Sequence, residues 1–442
     1  MKLKNYISYV FVIAMCFLYS GSVYMSQCFR LLNYYDETTT DIITSGYNYI
    51  LQALGIAFFI YFLNKKISKF YTNKVFIISL IIGSIFMALI QLNNNPIVIV
   101  LSGFVFNFLI GIYFGFYLTL FSQYVPSSCS GLSFGIAYAF GSVGTYFLSK
   151  LNNGAFLESK EIIVIYFIFI SLTIAFILKS KDININETDS NNDINYFNQL
   201  VIIVILINVI SVLGSLLYFS MPITTEVNWN LIRAYYAFGL IFAGYLIDKN
   251  RFVGEIFVVA SLIFPLVVTT LSSEGITNTT ILSINYIFRG FITIYYIISF
   301  TSLYVEDHKL LKYASLGLMI SRITEAIITL LTLWFNIPRM FELIIASILF
   351  IPLLILFVSM QNNKYNSSII NDERKIAIFS EKYNLTSRET EIVLSLKQGL
   401  SDNEISEKYY ISKNTVRFHI SNILKKTNSK SRTDVVRLLN KS

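Results

Sequence analysis

Lys413, Arg417, Ser421 and Lys425 recur four residues apart, with Asn414 three before Arg417, the intervals that place side chains on one face of an α-helix. A guanidinium, an amide and ammonium groups sharing a face are donors matched to the base edges and phosphates of a DNA major groove. Arg417 can grip the O6 and N7 of a guanine with two parallel bonds, worth roughly 1–3 kcal/mol of discrimination. Lys413, Lys425 and Lys426 suit phosphates. Thr415, Phe418 and His419 complete the candidate interface, with His419 either packing against the turn or touching a phosphate. From Lys413 to Lys441 there are eight basic residues and one acid, Asp434. Such a footprint predicts double-stranded DNA as partner and binding that weakens steeply with salt.

A second set of charges lies where charge is costly. Arg289, Arg322 and Glu325 stand within long apolar runs, and an ionised group at bilayer mid-depth costs at least about 2.5–3.5 kcal/mol. Arg322 and Glu325, three apart on one helical face, read most plainly as an ion pair. Arg289 has no partner nearby in sequence. Either it competes for Glu325 across a helix interface, or it lines a cavity in the second half of the chain and meets a small anionic ligand. Cys16, Cys28 and Cys129 show no CxxC spacing, and His308 and His419 are the only imidazoles, so neither a metal site nor a disulfide framework is expected. No glycine loop with its lysine, acidic phosphoreceiver pocket or other enzymatic constellation is visible. The reading is a non-enzyme without cofactor.

Composition says what carries these residues. The chain is 442 residues long, 55% hydrophobic and 14% charged, with a mean hydropathy of +0.62, against roughly 25% charged in ordinary soluble domains. An all-α, polytopic membrane bundle followed by a small helical domain is therefore expected. A spanning helix needs roughly 20 apolar residues, which divides residues 1–360 into about twelve spans: 6–29, 42–63, 74–92, 96–123, 129–149, 161–178, 198–220, 231–247, 254–271, 279–304, 313–335 and 340–360. The first resembles a signal peptide, but it outruns an h-region of about 7–15 residues and no small-x-small site ends it.

Lysines cluster in alternate loops, at Lys65, Lys66, Lys69 and Lys74, then Lys179/Lys181, Lys249/Arg251 and Lys309/Lys312. Arg30, Lys150, Lys160 and Arg339 are exceptions. The positive-inside rule then puts the N-terminus in the cytoplasm, and an even helix count returns the C-terminus there, in a bacterial inner membrane. The polar stretch 179–197 reads as a cytoplasmic linker between halves 1–178 and 198–360. Tyr61-Phe62-Leu63-Asn64-Lys65 is echoed by Tyr245-Leu246-Ile247-Asp248-Lys249, where a 6+6 repeat would place it.

Residues 1–360 resemble the major facilitator architecture. Its Gly-x-x-x-Asp-Arg/Lys-x-x-Arg/Lys loop is fitted reasonably, though not residue for residue, after the eighth span by Gly244, Asp248, Lys249 and Arg251, whereas Ile60 and Asn64 replace the Gly and Asp of the first copy. The resemblance implies a transporter-like fold, with the acidic residue of that loop part of its gating apparatus.

Beyond a polar linker at 361–380, residues 381–442 read as four short helices. Thr386 with Glu389, and Ser401 with Glu404, form capping boxes; Gly399 stops the first helix and Ser412 caps a third, basic one. Val416, Ile420, Ile423 and Leu424 form its buried stripe, and Ser431 opens a fourth helix. Two helices joined by the short Tyr410-Ile411 turn make a helix-turn-helix. The net charge from Asn362 onward is 15 Lys+Arg against 9 Asp+Glu, most of the chain's +8.

This tail resembles the LuxR-type (NarL/LuxR) helix-turn-helix domain. The carrying residues are Leu385-Thr386-x-Arg388-Glu389-x-Glu391, Gly399-x-Ser401-x-x-Glu404-Ile405, Ile411-Ser412-x-x-Thr415-Val416-Arg417-x-His419-x-x-Asn422-Ile423 and Ser431-Arg432-Thr433. Thr427, Asn428 and Val435 depart from the pattern. The resemblance implies DNA reading by the third helix and homodimerisation through the fourth. Together the two parts predict a membrane-bound one-component transcription regulator whose membrane domain senses a ligand or membrane signal, with RNA polymerase as a further partner. The alternative is a major-facilitator-type secondary transporter with an autoregulatory DNA-binding tail.

Overall fold

The computed structural model describes residues 6–67, 72–150, 160–184, 196–213, 229–264, 266–267, 279–335 and 337–441, and no strand occurs among them. They fall into two compact units, Met1–Phe357 and Val358–Ser442. The first unit contains α1 (Ile7–Leu31), α2 (Glu37–Asn64), α3 (Asn73–Leu92), α4 (Pro96–Tyr124), α5 (Ser130–Lys150) and α6 (Lys160–Lys179). It continues with α7 (Phe197–Leu213), α8 (Trp229–Lys249), α9 (Arg251–Ser261), α10 (Thr279–Thr301) and α11 (Leu316–Phe335). Residues of α12 (Arg339–Lys382) fall in both units.

Among the described residues eight helices are long and apolar enough to cross a membrane: Ile7–Leu31, Glu37–Asn64, Asn73–Leu92, Pro96–Tyr124, Ser127–Leu148, Leu282–Val305, His308–Phe335 and Met340–Lys364. A helix satisfies its own backbone polar groups, which is why apolar runs of this length take that form in lipid. The protein is a multi-pass membrane protein. Eight, rather than about twelve, is the number these residues support. Val164–Lys179 and Phe197–Leu213 are shorter apolar helices, α8 carries Asn230, Arg233 and Asp248, and parts of the spans 198–220 and 254–271 lie outside the described residues.

Small residues set the helix contacts. A Cβ added to Gly131 of α5 would lie 2.6 Å from the carbonyl oxygen of Gly244 on α8, so these two helices meet backbone to backbone. At the same seam the Asp248 carboxylate accepts the N–H groups of Gly131 at 2.8 Å and Leu132 at 2.7 Å. An anion is favourable at the first turn of a helix, where unpaired N–H groups point outward. Asn64, the counterpart of Asp248 in the first echo, is exposed. The echo extends to cation–π contacts, with Lys65 over Tyr61 at 6.0 Å and Lys249 over Tyr245 at 5.7 Å.

Three expectations change locally. The second span starts at Glu37 rather than residue 42 and contains a π-helical stretch, Ile42–Tyr47. Arg30, an exception to the charge rule, donates to the carbonyls of Gln91 and Asn93, both at 2.7 Å, and so caps the last turn of α3. The 179–197 segment is tied down at its start: Lys181 N–H donates to the Tyr9 hydroxyl at 3.0 Å, and Asp182 accepts from Asn73 N–H at 2.9 Å. Residues 185–195 lie outside the described set.

The second unit builds one apolar core from Ile376, Phe379, Ile392, Val393, Leu396, Ile405, Val416, Ile420, Ile423, Val435 and Leu439. Around it stand α13 (Ser387–Lys397), α14 (Asp402–Tyr409), α15 (Lys413–Thr427) and α16 (Arg432–Lys441). The stretch 361–380, polar enough to predict a linker, belongs to α12. Its end, Asp372-Glu373-Arg374-Lys375-Ile376-Ala377, is rich in helix formers, and Ile376 and Phe379 are buried in the tail's core.

Candidate nucleic-acid interface and membrane-embedded charge cluster

Local caps fix the tail's helices one by one. Thr386 N–H donates to Glu389 Oε2 at 2.8 Å while Glu389 N–H donates to Thr386 Oγ1 at 3.3 Å, closing the first box. Ser401 and Glu404 repeat it at 2.7 and 3.4 Å. Gly399, with φ of +79°, makes the turn between α13 and α14, a conformation that costs glycine no Cβ clash. Tyr410 holds φ of +53° in the next turn, and the residue is 95% exposed. Thr415 N–H then donates to Ser412 Oγ at 3.1 Å to start α15. Arg388 braces this turn from α13, its guanidinium 4.7 Å from the Tyr409 ring centre and its Nη2 donating to the Tyr409 carbonyl at 2.9 Å.

On α15, Val416, Ile420 and Ile423 are buried, while Lys413, Asn414, Arg417, Phe418, Ser421 and Lys425 are exposed. Those six form one basic, hydrogen-bonding surface with an aromatic ring in it. His419 is half-buried, its ring 5.8 Å from that of Phe418. Thr415 is also half-buried and shares a 2.8 Å hydroxyl contact with Ser412. Lys426 departs from the expected phosphate role: its ammonium donates to Glu389 Oε2 at 2.6 Å and to the Asn384 carbonyl at 2.8 Å. Burial pushes the Glu389 carboxyl up, but the bonds from Lys426 and Thr386 outweigh it and hold the group below the usual carboxylate range.

Sequence reasoning missed Asp402. It stands at the first position of α14, and its Oδ2 accepts from Arg417 Nε at 3.2 Å while Arg432 Nη2 lies 2.6 Å from its Oδ1. An acid at a helix N-terminus is ordinary in sequence, and only the assembled domain brings two arginines to it. The exposed Tyr410 was read only as part of a turn.

In the membrane unit the three intramembrane charges come together. Glu325 receives Arg289 Nη2 at 3.3 Å on Oε1 and Arg322 Nη1 at 3.2 Å on Oε2, so both readings of its pairing are realised at once. Tyr49 of α2, unanticipated from sequence, lies under the Arg322 guanidinium at 4.5 Å, an arrangement favoured by the ring quadrupole. The cluster therefore joins both halves of the unit rather than lying in the second alone. Arg322 is buried and its Nε meets no acceptor. Nearby, the Tyr236 and Thr293 hydroxyls are 3.0 Å apart, and Thr293 donates to the Arg289 carbonyl at 3.1 Å.

A capped trihelical core with an outward basic third helix defines the tail as a helix-turn-helix domain, carried on a multi-pass membrane protein. Residues 383–439 match the family model described as "Bacterial regulatory proteins, luxR family", and the C-terminal domain is of this type. Relatives include the transcriptional regulatory protein LnrK of Bacillus subtilis (strain 168), 44% identical over 54 residues, which are 12% of this chain and 24% of that protein. The CsgBAC operon transcriptional regulatory protein of Escherichia coli (strain K12) is 48% identical over 52 residues, 12% of this chain and 24% of that one. The chain thus spans about a quarter of the length of these curated relatives. By structure, it is similar to the nucleoside transporter NupG, with a TM-score of 0.52 and 14% identity over 81% of this chain and 99% of that one. This likeness is one of fold, and it gives the membrane unit a transporter-like architecture.

Proposed function

We propose that this protein is a membrane-bound one-component transcription regulator. The observation that carries the reading is the exposed face of Lys413, Asn414, Arg417, Phe418, Ser421 and Lys425 on the third helix of a luxR-type domain, in one chain whose described residues include eight helices fit to cross a membrane. Arg417 reads a base edge, Lys413 and Lys425 neutralise phosphates, and two copies of the tail bind adjacent half-sites through α16. The membrane is the bacterial inner membrane, with both termini on the cytoplasmic side, where DNA and RNA polymerase are met.

The signal enters at Arg289, Arg322 and Glu325. A small anionic ligand engaging the arginines competes with Glu325 for them, and it shifts the tails between free and paired states only as far as its affinity differs between those states. The full-length protein in lipid nanodiscs tests the reading by titration with genomic DNA fragments at several salt concentrations. Arg417→Ala is expected to lower sequence preference by about 1–3 kcal/mol, and Lys425→Ala to weaken binding to all sequences evenly and reduce the salt slope by about 1. Binding without preference over competitor DNA overturns it, and ion-coupled uptake of a solute into proteoliposomes together with such a result supports a transporter instead.

A further inference from the structure

We propose that Asp402 is a specificity-determining positioning residue, which holds Arg417 in the one rotamer that reads a base. The inference rests on the reading of α15 as the DNA-reading helix. Asp402 belongs to α14 and is itself mostly covered, with 16% of its side chain exposed, against 67% for Arg417. It engages Arg417 through Nε alone. Among the described residues the two terminal nitrogens of Arg417 meet no acceptor. An arginine bound at Nε keeps its terminal pair as a planar fork, the geometry that matches O6 and N7 of guanine.

A free arginine on a helix surface samples many rotamers, and ordering it on DNA costs conformational entropy. Asp402 removes part of that loss before DNA arrives. Arg432, at the start of α16, forms an ion pair with the other carboxylate oxygen at 2.6 Å, so the negative charge of Asp402 is offset from a third helix. A rotamer fixed at Nε favours one base over the others, whereas an unfixed one would serve phosphates and bases alike. Asp402 thus contributes to discrimination without touching DNA.

The test selects binding sites from a random double-stranded DNA library with full-length protein in nanodiscs, for the wild type, Arg417→Ala, Asp402→Asn and Arg432→Ala. Arg417→Ala locates the position that Arg417 reads. Asp402→Asn, which keeps side-chain size, is expected to lose roughly tenfold of the preference at that position alone, with affinity for unselected DNA unchanged or raised because an acid has gone. Arg432→Ala is expected to weaken the same preference less. Preference intact in Asp402→Asn, or lost evenly at every position together with helical content, overturns the proposal. Enrichment of no sequence by the wild type removes the underlying DNA reading as well, a result distinct from either.

Discussion

Lys426 and Glu389 meet at 2.6 Å, and this contact ties the last turn of the DNA-facing helix α15 to the first turn of α13. Glu389 is already committed to the backbone N–H of Thr386, so one carboxylate closes a capping box and anchors a second helix. The lysine, which by sequence suits a phosphate, thus works inside the domain.

Replacing Lys426 with methionine leaves that buried carboxylate without its counter-ion. A loss of about 1–3 kcal/mol is expected, read as faster hydrogen exchange in residues 386–427 of the full chain. The salt slope of DNA binding should change less than for Lys425→Met. An unchanged exchange rate with a reduced slope would return Lys426 to the phosphate-binding set.

Acid should loosen the tail for the same reason. Because Glu389 is held below its ordinary value when folded, its contribution is present above the unfolded value of about 4.3 and is lost as pH falls through the lower folded value. Between pH 6 and pH 2, wild type should lose more tail stability than Lys426→Met, as read by the difference in their exchange profiles. Parallel profiles would contradict the linkage.

Glu325 serves two arginines, so removing its charge should be worse than removing the pair around it. Glu325→Gln leaves Arg322 charged and buried, and breaking a buried pair in this way costs roughly 3–5 kcal/mol. Arg322→Met combined with Glu325→Leu should recover much of the loss, measured as the thermal midpoint in detergent. If the double variant is no better than the single one, the cluster contributes to the fold by more than charge balance.

The sequence makes the tail legible because its signals are local. Capping boxes at Thr386 and Ser401, the stop at Gly399 and the 416/420/423 stripe each occupy a few neighbouring residues, and each appears at its expected place. The contacts of Asp402 and Lys426 are illegible for the opposite reason, since their partners come from other helices. Ile376 and Phe379 were hidden inside a polar stretch whose composition outweighed two apolar residues. In the membrane unit, apolarity reveals helices but carries no information on which face meets which. Tyr49 beneath Arg322 therefore has no forerunner in the pattern, while the pairing of Arg322 with Glu325 follows from their three-residue spacing.

The seam between α5 and α8 is fastened by Asp248, and the matching place after α2 holds an exposed Asn64. The two seams between the halves are therefore fastened by different chemistry: a carboxylate on backbone N–H groups at Asp248, and a guanidinium on an aromatic face where Tyr49 of α2 meets Arg322 of α11.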